Sequence, residues 1–314
     1  MVSRRLLRIK VLKSFFSYIQ SESTSPTNVE KEVTFSIQKT YDLYHYLLLL
    51  LVEIADYAQL RIDLNKQKHL ATEEDKNPNT KLVDNKVYTL LRENEAFNKY
   101  VQRTKLSWVS SPELIKQLYN QLVESDYYKQ YMSSPASSFE EDKRLVIDII
   151  LNELEDYEEL YNTLEDQSIF WVDDVEFALS MVAKTIKLFK ANQPKYTELL
   201  PLYKNEDDQT FAIRLLRRAI NEHKSYKPLI EQHTKNWEVE RIAFMDIVLL
   251  ELAIAEAIEF PTIPIKVTID EYIELSKYFS TPNSATFING VLDKIIQQLV
   301  KEQRVVKSGR GLVS

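Results

Sequence analysis

The chain of 314 residues contains three glycines: Gly290, Gly309 and Gly311. Average proteins carry about 7% glycine, so this backbone has few places where it can adopt glycine-only conformations. Loops that cradle phosphates need several glycines in one short stretch, because the backbone must approach the phosphate closely. None can be assembled here. P-loop and dinucleotide-binding fingerprints are therefore excluded, and Rossmann-type methyltransferases are disfavoured. Cysteine is absent, which removes disulfides, zinc–thiolate sites and thiol nucleophiles. His45, His69, His223 and His233 show no metal-ligand spacing. The sequence thus predicts no cofactor and no metal.

The remaining residues spell helices. "LLRIKVLKSFFSYI" places Leu7, Val11, Leu12, Phe15, Tyr18 and Ile19 at helical spacing. A long helix is expected over roughly 29–64, and "SSPELI" starts another with Pro112 at its first position. "IAFMDIVLLELAIAEAI" (242–258) is apolar on nearly all sides, the mark of a helix buried among others. "VTIDEYIELSKYF" reads as a helix opened by a capping box of Thr268 and Glu271, and the last helix is expected over 284–303. Strand-like alternation is nowhere sustained, so the fold class is all-α. "YLLLLLV" (46–52) is too short to span a bilayer, which takes about 20 residues. With no signal-peptide pattern at the N-terminus, the chain reads as soluble and cytoplasmic, with no membrane partner.

Charge is unevenly placed. Net charge is −7, yet residues 135–180 alone hold 14 Asp/Glu against 2 Lys/Arg, leaving +5 on the rest. That acidic block reads as solvated helix faces, with Leu145, Ile149, Leu154, Tyr157 and Tyr161 on the buried side, and not as paired catalytic carboxylates. Residues 1–20 carry five basic side chains and no acidic one. If Ser3 is the N-cap, Arg4 and Arg5 fall in the first turn, where the helix dipole disfavours cations. Arg8 falls in line with Leu7, Val11 and Phe15. An anion held by bidentate guanidinium contacts would explain this layout; a snorkelling basic helix start is the alternative.

Gly290 poses a separate problem. Ile288, Leu292, Ile295 and Leu299 form one stripe, so the helix runs straight through the glycine, at a cost of about 1 kcal/mol against alanine. Either another helix packs on its bare backbone or an external partner approaches it. Phe287, close to the helix start, is either a base-stacking aromatic or a core residue.

"IPIKVTIDEYIELSKYFSTPNSATFINGVLDKI" (263–295) resembles the NusB transcription antitermination factors, through Pro264, Lys266, Val267, Ile269, Glu271, Glu274, Leu275, Lys277, Phe287, Asn289, Gly290, Leu292 and Asp293. The start, "SRRLLRIKVLKSFFSY", looks like the family's Arg-rich first helix, and "FAIRLLRRAINEHKSYKPLI" is similar to its long third one. The family often has a basic residue at Asp246, Asn at Asp270 and Lys at Thr286. The resemblance implies an all-helical, NusB-like fold of two small bundles. The expected organisation is a first core helix over 1–20, a helical insertion over 21–204, the rest of the core over 205–303 and a flexible basic tail over 304–314. It also implies a bacterial factor that binds single-stranded boxA-type RNA of ribosomal RNA leaders together with the ribosomal protein NusE, within an RNA polymerase antitermination complex. Carried over from the family, the RNA-binding residues are Arg4, Arg5, Arg8, Asn283, Phe287 and Asn289, with Gly290 as the close approach of backbone. The competing expectation is a helical protein-interaction scaffold without specific RNA binding.

Overall fold

The computed structural model describes residues 1–21, 25–135, 138–191, 198–234 and 243–312. Among them there is no strand, and the chain is all-α. It divides into two compact units, one made of Met1–Ile37 with Tyr203–Ser314, the other of Gln38–Leu202.

The first unit contains α1 (Arg4–Gln20), the beginning of α2 (Pro26–Lys66), α11 (Glu206–Thr234), α12 (Phe244–Glu259), α13 (Ile265–Phe279) and α14 (Ser284–Lys301). As its composition requires, α12 is the central helix. It packs on α1, α11, α13 and α14, and Val248 through Ala257 is buried without a break. Its two glutamates in that run are buried with it and must find partners. Glu251 accepts a hydrogen bond from His223 at 2.6 Å, and Glu256 serves the first helix, as described below. Leu7, Val11, Leu12 and Phe15 of α1 are completely buried, and α1 packs on α11 and α12. Arg217 of α11 clamps Glu30 of α2 with two bonds of 2.7 Å.

The second unit holds the remainder of α2 with α3 (Glu73–Lys76), α4 (Lys86–Glu93), α5 (Glu95–Thr104), α6 (Pro112–Glu124), α7 (Asp126–Ser133), α8 (Phe139–Ile149), a π-helical turn at Ile150–Leu154, α9 (Glu158–Gln167) and α10 (Val175–Leu188). Its core is aromatic. Tyr46 stacks on Trp108 at 3.9 Å, and the indole donates to the Tyr46 carbonyl. His45 stacks on Tyr100 at 3.7 Å, and burial pulls its pKa down to about 4, so it is neutral at physiological pH. Two carboxylates of the acidic block are not solvated as the sequence reading expects. Asp142 and Glu153 are buried and accept hydrogen bonds from Tyr131 at 2.7 Å and Tyr127 at 2.5 Å. Helical spacing sorts apolar from polar side chains, but it does not foresee a tyrosine hydroxyl arriving from another helix.

Two local expectations need correction. Thr268 and Glu271 do not cap α13. That helix starts three residues earlier at Ile265, behind Pro264, and Thr268 lies inside it, completely buried. Its hydroxyl donates to Glu256 at 2.9 Å. Nor do residues 304–314 hang free over their described part. Val305 is buried, and Lys307 donates to the carbonyls of Ala257 and Phe260 at 2.9 and 3.0 Å.

Candidate nucleic-acid interface

Ser3 caps α1 as its position predicts, its hydroxyl accepting from the Leu6 amide at 3.2 Å. This fixes Arg4 and Arg5 in the first turn and Arg8 one turn on. The three arginines have different surroundings. Arg5 is half-exposed and meets Glu271 of α13 in a two-pronged pair, with both bonds at 2.9 Å. Arg4 donates to Asp208 in the first turn of α11 at 2.8 Å. Arg8 is buried, and its Nε and Nη2 donate to the two oxygens of Glu256 at 2.7 and 2.8 Å. Glu256 also accepts from Thr268 at 2.9 Å and Tyr272 at 3.3 Å, so its lone pairs are fully used. Burial alone would lower the Arg8 pKa, but the carboxylate beside it outweighs this and holds it above its ordinary value. Burial, then the Glu256 charge, pushes the Tyr272 hydroxyl well above the usual phenol range. Arg4 and Arg8, one turn apart, both lie 5.4 Å from the centre of the Phe211 ring.

An open cleft of about 770 Å³ lies over this helix start, lined by Ser3, Arg4, Arg5, Pro264, Val267 and Arg310 among others. The family-derived residues of α14 are not part of it. Asn283, Asn289 and Gly290 are exposed, and a Cβ added to Gly290 meets nothing within 4 Å. Within the described residues, then, no helix packs on that bare backbone. Phe287 is 5% exposed and sits with Ile288 on the buried side. The start of α14 is fixed from beneath by Asp246, which accepts from Ser280 at 2.6 Å and Ser284 at 2.9 Å.

The two places are connected along α1 and α13. Arg5 reaches Glu271, and eight residues further along both helices the Lys13 ammonium lies 6.0 Å from the Phe279 ring centre. Eight helical residues span about 12 Å, so α1 and α13 run in the same direction from the cleft toward the start of α14. Phe16 makes an edge contact with Phe244 at 5.4 Å near that end. Of the residues named from the sequence, Arg5, Asn283, Asn289 and Gly290 are exposed and Arg4 is partly so. Arg8 and Phe287, expected to face a nucleotide chain, lie underneath them. The sequence reading missed Lys13, which the helical spacing from Arg5 offered, and Arg310, which no local pattern marked.

Comparison with known proteins gives the context for this geometry. The NusB family profile matches residues 172–297. A protein of Salinibacter ruber called transcription antitermination protein NusB is 41% identical over 114 residues, covering 36% of this chain and 71% of the relative. One of the same name from Desulfatibacillum aliphaticivorans is 33% identical over 141 residues, covering 45% of this chain and 90% of the relative.

The chain belongs to the NusB family.

A third relative, from Chloroherpeton thalassium, is 37% identical over 103 residues, which span 33% of this chain and 49% of its own. No solved structure matches. The NusB profile begins at residue 172, so α10 falls inside the match. It ends at 297, short of Arg310. In this NusB-family chain, no helix among the described residues is long and apolar enough to cross a membrane.

Proposed function

We propose that this NusB-family chain is a non-enzymatic transcription antitermination factor that binds boxA-type single-stranded RNA together with NusE, as part of an RNA polymerase antitermination complex. The observation that carries the reading is the exposed Arg5, with Arg4 beside it, on the rim of an open cleft at the start of α1. From that cleft α1 and α13 lead to the exposed Asn283, Asn289 and Gly290. Arg4 and Arg5 would hold phosphates, which a guanidinium grips with two parallel bonds. The asparagines would meet base edges, and the bare backbone at Gly290 would admit a close approach. Arg8 and Phe287 support this surface from below: Arg8 ties α1 to α12 and Phe287 seats α14.

One observation favours the second reading, a protein-interaction scaffold. Asp208, Glu271 and Glu256 already neutralise the three arginines of α1. Titrating a labelled boxA oligonucleotide with the full chain, with and without NusE, separates the two. The antitermination reading expects boxA to bind more tightly than a scrambled strand, and NusE to tighten it further. Equal binding of both strands even with NusE gives the scaffold reading the place.

A further inference from the structure

The residues after α14 fold back onto the cleft. At the end of that helix Gln303 takes a left-handed backbone turn, and the amides of Arg304 and Val305 both return to the Leu299 carbonyl. Val305 is then buried. Lys307 reaches the carbonyls of Ala257 and Phe260, at the C-terminal end of α12. Carbonyls there lack helical partners, so an N–H donor from outside the helix satisfies them. The Ser308 amide donates to Pro261 O at 3.0 Å. Gly311 lies so close to the same turn that a Cβ would come within 1.9 Å of Pro261 O. The turn from Phe260 to Pro264 that receives this segment also forms one wall of the cleft, through Thr262, Ile263 and Pro264.

Arg310 is exposed and lines that cleft with Arg4 and Arg5. Its position differs from theirs in one decisive respect. Arg4, Arg5 and Arg8 each meet a carboxylate, whereas Arg310 has none within ion-pair distance among the described residues. Among the described residues, three of the four guanidinium charges around the cleft are paired with a carboxylate, and the fourth is not. Long-range attraction of a phosphate chain follows the uncancelled charge.

We propose that the segment Gln303–Leu312 is part of the RNA-binding surface: its docking on the turn between α12 and α13 holds Arg310 over the cleft, where it makes a phosphate contact that the arginines of α1 cannot supply alone. The inference rests on the RNA-binding reading above and adds to it a residue outside the family match.

The test measures the salt dependence of boxA binding by fluorescence anisotropy, with the full chain and NusE, for wild type, Arg310→Ala and Gly311→Ala. Each phosphate contact on a single strand contributes about 0.7 to the slope of log K against log salt. Arg310→Ala is expected to weaken binding and to flatten the slope by about that amount. Gly311→Ala leaves the net charge unchanged and forces the segment off Pro261, so the same loss from it reports docking. Circular dichroism melts of all three proteins check that the fold is intact. Wild-type slopes in both variants overturn the proposal while leaving boxA binding in place. A loss in Arg310→Ala without one in Gly311→Ala also overturns it, since the segment then need not be held. If wild type does not prefer boxA to a scrambled strand, the function reading falls. The slopes with the scrambled strand still decide whether Arg310 touches phosphate, and wild type that binds neither strand sinks both ideas.

Discussion

Arg8 and Glu256, 248 residues apart in sequence, meet at 2.7 Å where neither reaches solvent. A charge pair in such a place is fully satisfied or very costly. Glu256 accepts four bonds there, from Arg8 twice and from Thr268 and Tyr272. Removing one partner leaves the other charged and buried, which costs about 3–5 kcal/mol. Urea unfolding of Glu256→Leu and Arg8→Met should each show a loss of that order, and the double variant should lose less than the sum. Additive losses would mean that the two groups do not depend on each other.

Glu271 is the counterpart of Arg5 on the cleft rim, and that pair is partly exposed. Exposed ion pairs contribute about 0–1 kcal/mol, so Glu271→Gln should leave stability nearly unchanged. It also releases the Arg5 guanidinium toward the cleft. RNA binding should tighten, with the salt slope steeper by about 0.7. Unchanged affinity and slope in this variant would argue that Arg5 does not contact the nucleotide chain.

Gly290 separates stability from binding. Its surroundings are open and its φ is not in the left-handed region, so Gly290→Ala should stabilise the RNA-free protein by about 0.4–1 kcal/mol in urea melts. A larger side chain, as in Gly290→Leu, should obstruct a ligand that approaches the backbone. The expected result is a normal melt with weakened boxA binding. Full binding by Gly290→Leu would remove this residue from the surface.

Lys307 makes docking of the last segment pH-dependent. Burial pulls its pKa down to about 8, against 10.5 in the unfolded chain. Between those values the unfolded state binds more protons, so stability from this residue rises with pH from about 8 to about 10.5. Below pH 8 the cost of holding the charged amine is present in full. The group is half-exposed, so the gain is on the order of 1 kcal/mol after solvent screening. Comparing urea midpoints at pH 8 and pH 10 for wild type and Lys307→Met should show the gain only in wild type. An equal gain in both proteins would assign it to other titrating groups.

What the sequence made legible was what depends on near neighbours. Ser3 as the cap of α1, Pro112 at the first position of α6 and the stripe Ile288–Leu292–Ile295–Leu299 all follow from spacing within one helix. The buried character of α12 is also written in its composition. Misreadings arose where the deciding partner is distant. Thr268 and Glu271 have capping-box spacing, but Pro264 starts the helix earlier and Glu256 claims the hydroxyl. The basic stripe of α1 was visible, yet nothing near Arg4, Arg5 or Arg8 revealed Asp208, Glu271 and Glu256 opposite them. Gly309, Gly311 and the basic residues around them have the composition of a loose end. Only the Pro261 carbonyl and the end of α12 turn that composition into a docked segment.

The division of the first unit into Met1–Ile37 and Tyr203–Ser314 also has a consequence for biosynthesis. The apolar face of α1 is covered by α11 and α12, which the ribosome makes only after the 165 residues of Gln38–Leu202. At about 5–20 residues per second, α1 waits roughly ten to fifty seconds for the helices that will cover it. During that interval Leu7, Leu12 and Phe15 lack the native shelter that α11 and α12 give them.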